Sequence, residues 1–392
     1  MKEDAGIDSV ASAAASAAGY DYQISQGLLA LLKAGPEAAL RLEALDDIAL
    51  LLPTGVELSQ VKLQLTPRPS ALADLSEGLW NTIGNWARLI REAKVDPEHT
   101  MFYLLATAPA SPDSLSAALA LSKRDNDVLW NDLQSKGQSS KNEIVRIALK
   151  ELQSMSLQNR SRLLANILLL PGQPGPENLD AATIKILRTW STAYPIKLHE
   201  RITGWWQKRV RTQLILHANG QPDSIEANEL LDAIQEFADE LRPDNLPADL
   251  EHLQAPPTDV SDDPRLFMRQ LRLLDHSPRK LTLCLRDYYR ASEQCIKWVK
   301  DGLARPDEIS VFKSRLLDRW EAKFSSTNAM HLQEAEKIQA GKDILDWAES
   351  NDDTSIRPKF RGHYVRRGTY HELADDPQLI LGWHPDYKEK LK

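Results

Sequence analysis

Four side chains within RLEALDDIALLLPTGVELSQVKLQL, residues 41–65, carry the most legible chemistry of this chain: Glu43, Asp47, Gln60 and Lys62. Successive side chains of an extended strand alternate between faces. Glu43 and Asp47 therefore fall on one face of a first, acidic strand, and Gln60 and Lys62 on one face of a second. A short turn joins the two. Two carboxylates and an amide carbonyl are hard oxygen donors of the kind that bind Mg2+ or Mn2+. A lysine ammonium beside them positions an attacking water or offsets charge developing on a phosphorane. The set reads as a centre for metal-dependent phosphodiester cleavage. A half-exposed hairpin with no chemistry shows similar alternation, so the bare pattern leaves both readings open.

The flanking sequence supplies the elements needed to position these groups. An Ala-rich stretch at about residues 8–34 has helical character and ends in GLLALLKAGP, where Gly35 and Pro36 form a C-terminal stop. Val61, Leu63 and Leu65 make an apolar face opposite Gln60, Lys62 and Gln64, and Leu50–Leu52 read as a buried strand run. MFYLLAT at 101–107 supplies a further core strand. Between them, Leu72, Leu75, Leu79, Trp80, Ile83, Trp86, Leu89 and Ile90 recur at mixed three and four spacing, which predicts an amphipathic helix over 71–95. Helical patterns continue from 113 to 167, broken around Lys136–Ser139, and PGQPGPENLD at 171–180 marks a loop. The expected N-terminal fold is α/β, a small mixed sheet flanked by helices.

At 392 residues the chain has room for about two domains. RPDNLPADLEHLQAPPTDVSDDP, residues 242–264, is rich in Pro and Asp and reads as a linker. It divides 1–241, the domain with the acidic hairpin and a helical extension, from 265–392, a mostly α-helical domain for partner binding or regulation. In the latter, Cys284, Tyr288, Ala291, Cys295 and Trp298 form one helical stripe, which makes the two cysteines core residues. Two cysteines build no metal cage by themselves, and they point to a reduced, cytoplasmic setting. MKEDAGIDSV lacks the basic and apolar regions of a leader, and no apolar run approaches the about 18 residues of a membrane helix.

A net charge of −8 excludes a protein that coats nucleic acid by bulk electrostatics. DNA contact must come from local patches. HERITGWWQKRVRTQLIL places Lys208, Arg209 and Arg211 after Trp205 and Trp206, and RPKFRGHYVRRGTYHEL gathers Arg361, Arg366 and Arg367 among aromatics. Both are candidate phosphate-binding strips. In the first, the tryptophans also fit a core face with the basic residues snorkelling outward; the second also fits a protein-partner surface or a solvated charge run.

GYDYQISQGLLALL, LEALDDIALLL and ELSQVKLQL together resemble the PD-(D/E)xK nuclease superfamily, in the variant where Gln replaces the second motif acid, and the effector nuclease domain of bacterial anti-phage systems. ITGWWQKRV, AIQEFADELRPDNLP, FMRQLRLL and LRDYYRASEQCIKWVKDGL resemble nuclease subunits of ABC three-component systems, also known as Lamassu. The resemblance implies a PD-(D/E)xK nuclease fold and Mg2+-dependent cleavage of double-stranded phage or plasmid DNA. It also implies an SMC-like ABC ATPase and a third small subunit as partners, with a homo-oligomer as the active form. It places the motif acid on Asp47 and the QxK motif on Gln60 and Lys62. Glu43 is the additional metal carboxylate, Asp46 a neighbour on the opposite strand face, and Gln23 or Gln26 stands where many relatives carry a helical Glu. A non-catalytic scaffold and a cyclic-nucleotide-gated nuclease are the alternative readings.

Overall fold

The computed structural model describes residues 4–64, 72–327 and 331–392, with side chains from residue 13 onward. Leu65, the last member of the expected apolar face, lies outside the described residues, as do the first three residues of MKEDAGIDSV. The chain divides into two compact units, Met1–Ala238 and Asp239–Lys392. No described helix is long and apolar enough to cross a membrane.

The first unit opens with helix α1 (Asp4–Lys33), then strands β1 (Ala39–Leu42), β2 (Ile48–Leu52) and β3 (Gly55–Lys62). Helix α2 (Glu77–Arg91) leads to β4 (Thr100–Ala106). Four helices follow, α3 (Leu115–Ala120), α4 (Asn126–Ser139), α5 (Glu143–Ser154) and α6 (Leu157–Asn166), and then β5 (Ile167–Leu170). The unit closes with α7 (Pro176–Leu187), α8 (Pro195–Ala218), β6 (Ile225–Glu226) and α9 (Ala227–Glu240), whose last residues reach into the second unit. The six strands form one sheet in the order β5-β4-β3-β2-β1-β6. β3, β4 and β5 run parallel, whereas β6, β1, β2 and β3 pair antiparallel in succession.

Two expectations change here. Residues 41–52 are not one acidic strand. They are the end of β1, a bend at 43–47 and all of β2, and Glu43 donates its backbone N–H to the Asp47 carbonyl at 3.2 Å to close the bend. The face of β3 that carries Gln60 and Lys62 also carries Leu58, which is fully buried in the core under α2. Val61 is buried too, so β3 is covered on both faces and the QxK pair emerges only at its C-terminal end.

The core under α2 joins Ala49, Leu58, Phe102 and Leu104 to Trp80, Ile83, Trp86 and Leu149. Strict alternation in β4 buries Thr100, Phe102, Leu104 and Ala106. A buried aromatic-rich layer of this kind stabilises by roughly 2 kcal/mol for each large side chain. The break expected around Lys136–Ser139 lies just beyond, because Gly137 stays helical in α4 and lets Leu149 and Trp80 approach its backbone. At the β2–β3 turn, Gly55 adopts φ 150°, a conformation only glycine takes easily, and a Cβ there would strike the His99 carbonyl.

The second unit is helical: α10 (Leu266–Arg272), α11 (Pro278–Lys300), α12 (Pro306–Ser325), α13 (Glu334–Asp346), a π-helical turn Trp347–Asn351, α14 (His363–Ala374) and α15 (Tyr387–Lys390). Pro278 at the first turn and the Ser277 side chain, which accepts from Lys280 N, start α11. α14 packs along it so closely that a Cβ on Gly368 would run into the Asp287 backbone carbonyl. Residues 242–264 have neither helix nor strand, yet they are anchored rather than loose. Leu250 N donates to Gln294 at 3.0 Å, Trp298 Nε1 to the Pro247 carbonyl at 2.8 Å, and Arg290 Nε to the Leu253 carbonyl at 2.6 Å.

Candidate functional site

Asp47 stands at the entry to β2, immediately before Ile48, which pairs with Ser59. The next position across is Gln60. Its side-chain nitrogen donates to Asp47 Oδ2, and the Val61 backbone N–H donates to the same oxygen at 2.7 Å. Gln23 on α1 lies close enough to favour the charged form of this carboxylate. The structure thus selects Gln23 over Gln26, which is buried and turned toward Tyr22, donating to its hydroxyl at 2.7 Å. With Nε2 directed at Asp47, the Gln60 amide keeps Oε1 for another partner.

Lys62 ends β3 beside Ala106 of β4. Its charge acts favourably on both Asp46 and Asp47, and it forms no salt bridge among the described residues. Glu43 lies close enough to Asp47 and Tyr20 for their electrostatic interactions to be felt. Its backbone is left-handed, φ 53°, which costs an ordinary residue about 1 kcal/mol.

Asp46 does not join this group. The bend at 43–47 overrides strand alternation and turns its carboxylate inward, where Trp86 Nε1 donates to Oδ2 at 2.5 Å and Asp47 N to Oδ1 at 3.0 Å. Both oxygens are thereby used, so Asp46 holds the bend against α2. Among the described residues, Glu43, Asp46 and Asp47 do not converge as one three-carboxylate shell. Trp86 was legible only as a core residue, and nothing in the spacing marks an indole 40 positions away as the partner of Asp46.

Burial pushes all three acids above the ordinary carboxylate range. Desolvation is the main cause for each; repulsion from Asp47 adds to it for Glu43 and Asp46. Asp46 reaches about 6. For Asp47 the hydrogen bonds from Val61 and Gln60, the nearby Gln23 amide and the charge of Lys62 offset part of the burial. Clustered carboxylates whose charge is under-compensated by protein suit a divalent cation, and oxygen donors from two acids and an amide fit Mg2+ or Mn2+ rather than a thiophilic metal.

The basic strips separate. Lys208 and Arg211 are exposed on α8, whereas Arg209 between them is clamped by Asp223 at 2.7 Å and Glu229 at 2.6 Å. Trp206 is buried, donating Nε1 to the Ile24 carbonyl at 2.8 Å, as a core face requires. In the second unit Arg361 is exposed, but Arg366 and Arg367 point into the helical packing. Arg366 Nη2 donates to the Glu349 carbonyl at 3.0 Å and Arg367 Nε to Asp287 at 2.5 Å. The run of arginines around α14 is therefore largely internal, not a solvated charge face.

Residues 267–391 match the family model described as C-terminal domain 7 of the ABC-three component (ABC-3C) systems. The second unit carries an ABC-3C C-terminal domain. The match begins in α10 and ends beyond α15, so it spans the helical packing just described, and it supports membership of an ABC three-component system. Comparison with curated proteins and with solved structures gives no match. The match lies wholly in the second unit, whereas the acidic site lies in the first.

Proposed function

We propose that the first unit is a metal-dependent endonuclease of the PD-(D/E)xK type, which cuts double-stranded DNA as the effector of a Lamassu-like defence system. One observation carries this reading. A single carboxylate, Asp47, is fixed by Gln60 and Val61 N–H, with Gln23 and Lys62 beside it at the C-terminal end of β3. The order of elements supports it as well: helix, acid at a strand entry, and a Gln-x-Lys strand end, followed by a covering helix and a parallel strand.

Asp47, Glu43 and Gln60 Oε1 are the groups that would hold Mg2+ or Mn2+, which supplies Lewis acidity toward the scissile phosphate and a more acidic water. The chain's own residues do the rest. Val61 N–H and Gln60 Nε2 lock the rotamer of Asp47, so its second oxygen keeps one direction without an entropic cost at each turnover. Lys62 orients the attacking water or offsets the charge of the phosphorane. Asp46, tied to Trp86, keeps the bend that carries Glu43 and Asp47 in place. No covalent intermediate is needed.

An overall charge of −8 opposes DNA binding by a lone chain, so cutting is conditional on assembly. The ABC-3C domain is the element through which the other system components, an SMC-like ATPase and a small third subunit, restrain or release the nuclease. The test is cleavage of supercoiled plasmid in Mg2+ by the full chain, alone and with its partners, beside Lys62→Ala and Asp47→Ala. Nicking or linearisation should fall at least about a thousandfold in both variants. Cutting that survives both substitutions would remove this site; DNA binding with no cutting in any wild-type condition would leave a scaffold.

A further inference from the structure

We infer that the second unit contains a zinc site formed by Cys284, Glu349 and His371, which lies apart from the acidic site and does not depend on the nuclease reading. Cys284 is on α11, Glu349 on the π-helical turn and His371 on α14. One ligand atom from each lies within 4.8 Å of the others, and Cys284 Sγ is 3.7 Å from Glu349 Oε1. Zinc bonds of about 2.0–2.3 Å in a tetrahedron place ligand atoms about 3.3–3.8 Å apart. The sulfur–oxygen separation already fits, and the widest gap, within 4.8 Å, closes by no more than about 1.5 Å.

An independent feature points to a ligand. His371 is 1 % exposed, and neither Nδ1 nor Nε2 has a hydrogen-bond partner among the described residues. Leaving both nitrogens of a buried imidazole unpaired costs about 1–3 kcal/mol for each lost interaction. The ring is held between Phe267, at 5.5 Å between centroids, and Trp383, at 6.2 Å, so it cannot swing out to water. Cys284, 2 % exposed, is equally sealed.

The donor types select the metal. A thiolate, an imidazole and a carboxylate are the ligand classes of Zn2+, while Mg2+ and Ca2+ avoid sulfur and nitrogen. Supporting contacts are also in place, since Lys280 pairs with Glu349 Oε2 and Arg366 holds the Glu349 carbonyl. The π-helical turn lifts Glu349 out of regular helical register, a distortion often found where a side chain must be aimed. The Cys284 thiol releases its proton to solvent as the zinc–sulfur bond forms, and no electron is transferred. The ion would bind α11 to α14 and fasten the ABC-3C domain, with a water in its fourth position.

The full-length chain, produced with zinc and dialysed without chelator, should hold one zinc per chain by elemental analysis. Replacement by Co2+ should give the near-ultraviolet band of a thiolate–cobalt bond. Cys284 and Cys295 are the two cysteines of the chain, so the band must vanish in Cys284→Ser and persist in Cys295→Ser. Oxygen donors of the Asp47 site give no such band, which keeps the two sites distinguishable. Folded wild type that takes up no zinc and shows no thiolate band overturns the site, as does a band that survives in Cys284→Ser.

Discussion

The two polar clusters of this molecule are built in opposite ways. The Asp47 site gathers hard oxygen donors and one lysine at a strand end, and its geometry is set locally by a bend and two paired strands. The Cys284 site combines a thiol, an imidazole and a carboxylate, with Cys284 and His371 buried among helices, and packing brings Glu349 and His371 to Cys284 across 65 residues or more. On the proposed reading the first site must admit a polymer and release products, and it tolerates under-compensated charge. A site that fastens helices needs no path for a large ligand. Substitutions at the first should therefore act on metal response and chemistry at a cost to folding of about 2 kcal/mol or less, and those at the second should act chiefly on folding.

The largest separation is expected at Gly368. Gly368→Val forces α14 away from the Asp287 carbonyl, and overpacking of this kind should cost about 3 kcal/mol or more. Limited proteolysis should then open the second unit first, with the first unit still resistant; an equal loss in both would break the contrast. Next is Gln60→Glu. It removes the hydrogen bond to Asp47 and sets two carboxylates against each other, at a cost of about 2 kcal/mol in chelator. Mg2+ should restore most of that in a thermal melt, by more than it stabilises wild type. A melt insensitive to Mg2+ would deny metal binding here.

A comparable effect separates Asp46 from the acids around it. Its folded pKa of about 6 lies above the ordinary 3.8, so the folded chain binds this proton more tightly than the unfolded chain. Stability should fall as pH rises from 3.8 to about 6 and level off beyond, by up to about 2 kcal/mol after allowance for relaxation. Asp46→Asn keeps an acceptor for Trp86 and should show a shallower slope, the remainder coming from Glu43 and Asp47, in chelator-treated denaturation curves. A parallel slope in both proteins would show that Asp46 is not the group responsible. The smallest effect is at Glu43. Glu43→Gly relieves the left-handed backbone and should raise stability by about 1 kcal/mol while lowering DNA cleavage, the signature of strain held at a working site. Stability unchanged and cleavage intact would return the bend to the status of an ordinary turn.

Legibility in the sequence followed the range of the forces involved. α1, α2, β3 and β4 were readable because apolar periodicity is a local signal. β1 and β2 merged into one expected strand because the bend at 43–47 contains neither Gly nor Pro; its turn is made by a strained Glu and closed by a backbone hydrogen bond. β5 and β6, of 4 and 2 residues, are too short to show a period and exist because neighbouring strands offer them partners. The arginines at 366 and 367 resembled a surface run, since composition does not reveal that Glu349 and Asp287 wait for them inside.

The sequence by itself determined the kinds of donor available: acids, an amide and a lysine within 20 positions of one another in the first unit, and two thiols in a helical stripe in the second. Tertiary structure alone decided which of them meet. It turned Asp46 to Trp86, chose Gln23 over Gln26, and carried His371 and Glu349 to Cys284. Side-chain chemistry is written residue by residue, but convergence depends on how strands register and helices pack, and those contacts join positions that one-dimensional spacing does not connect.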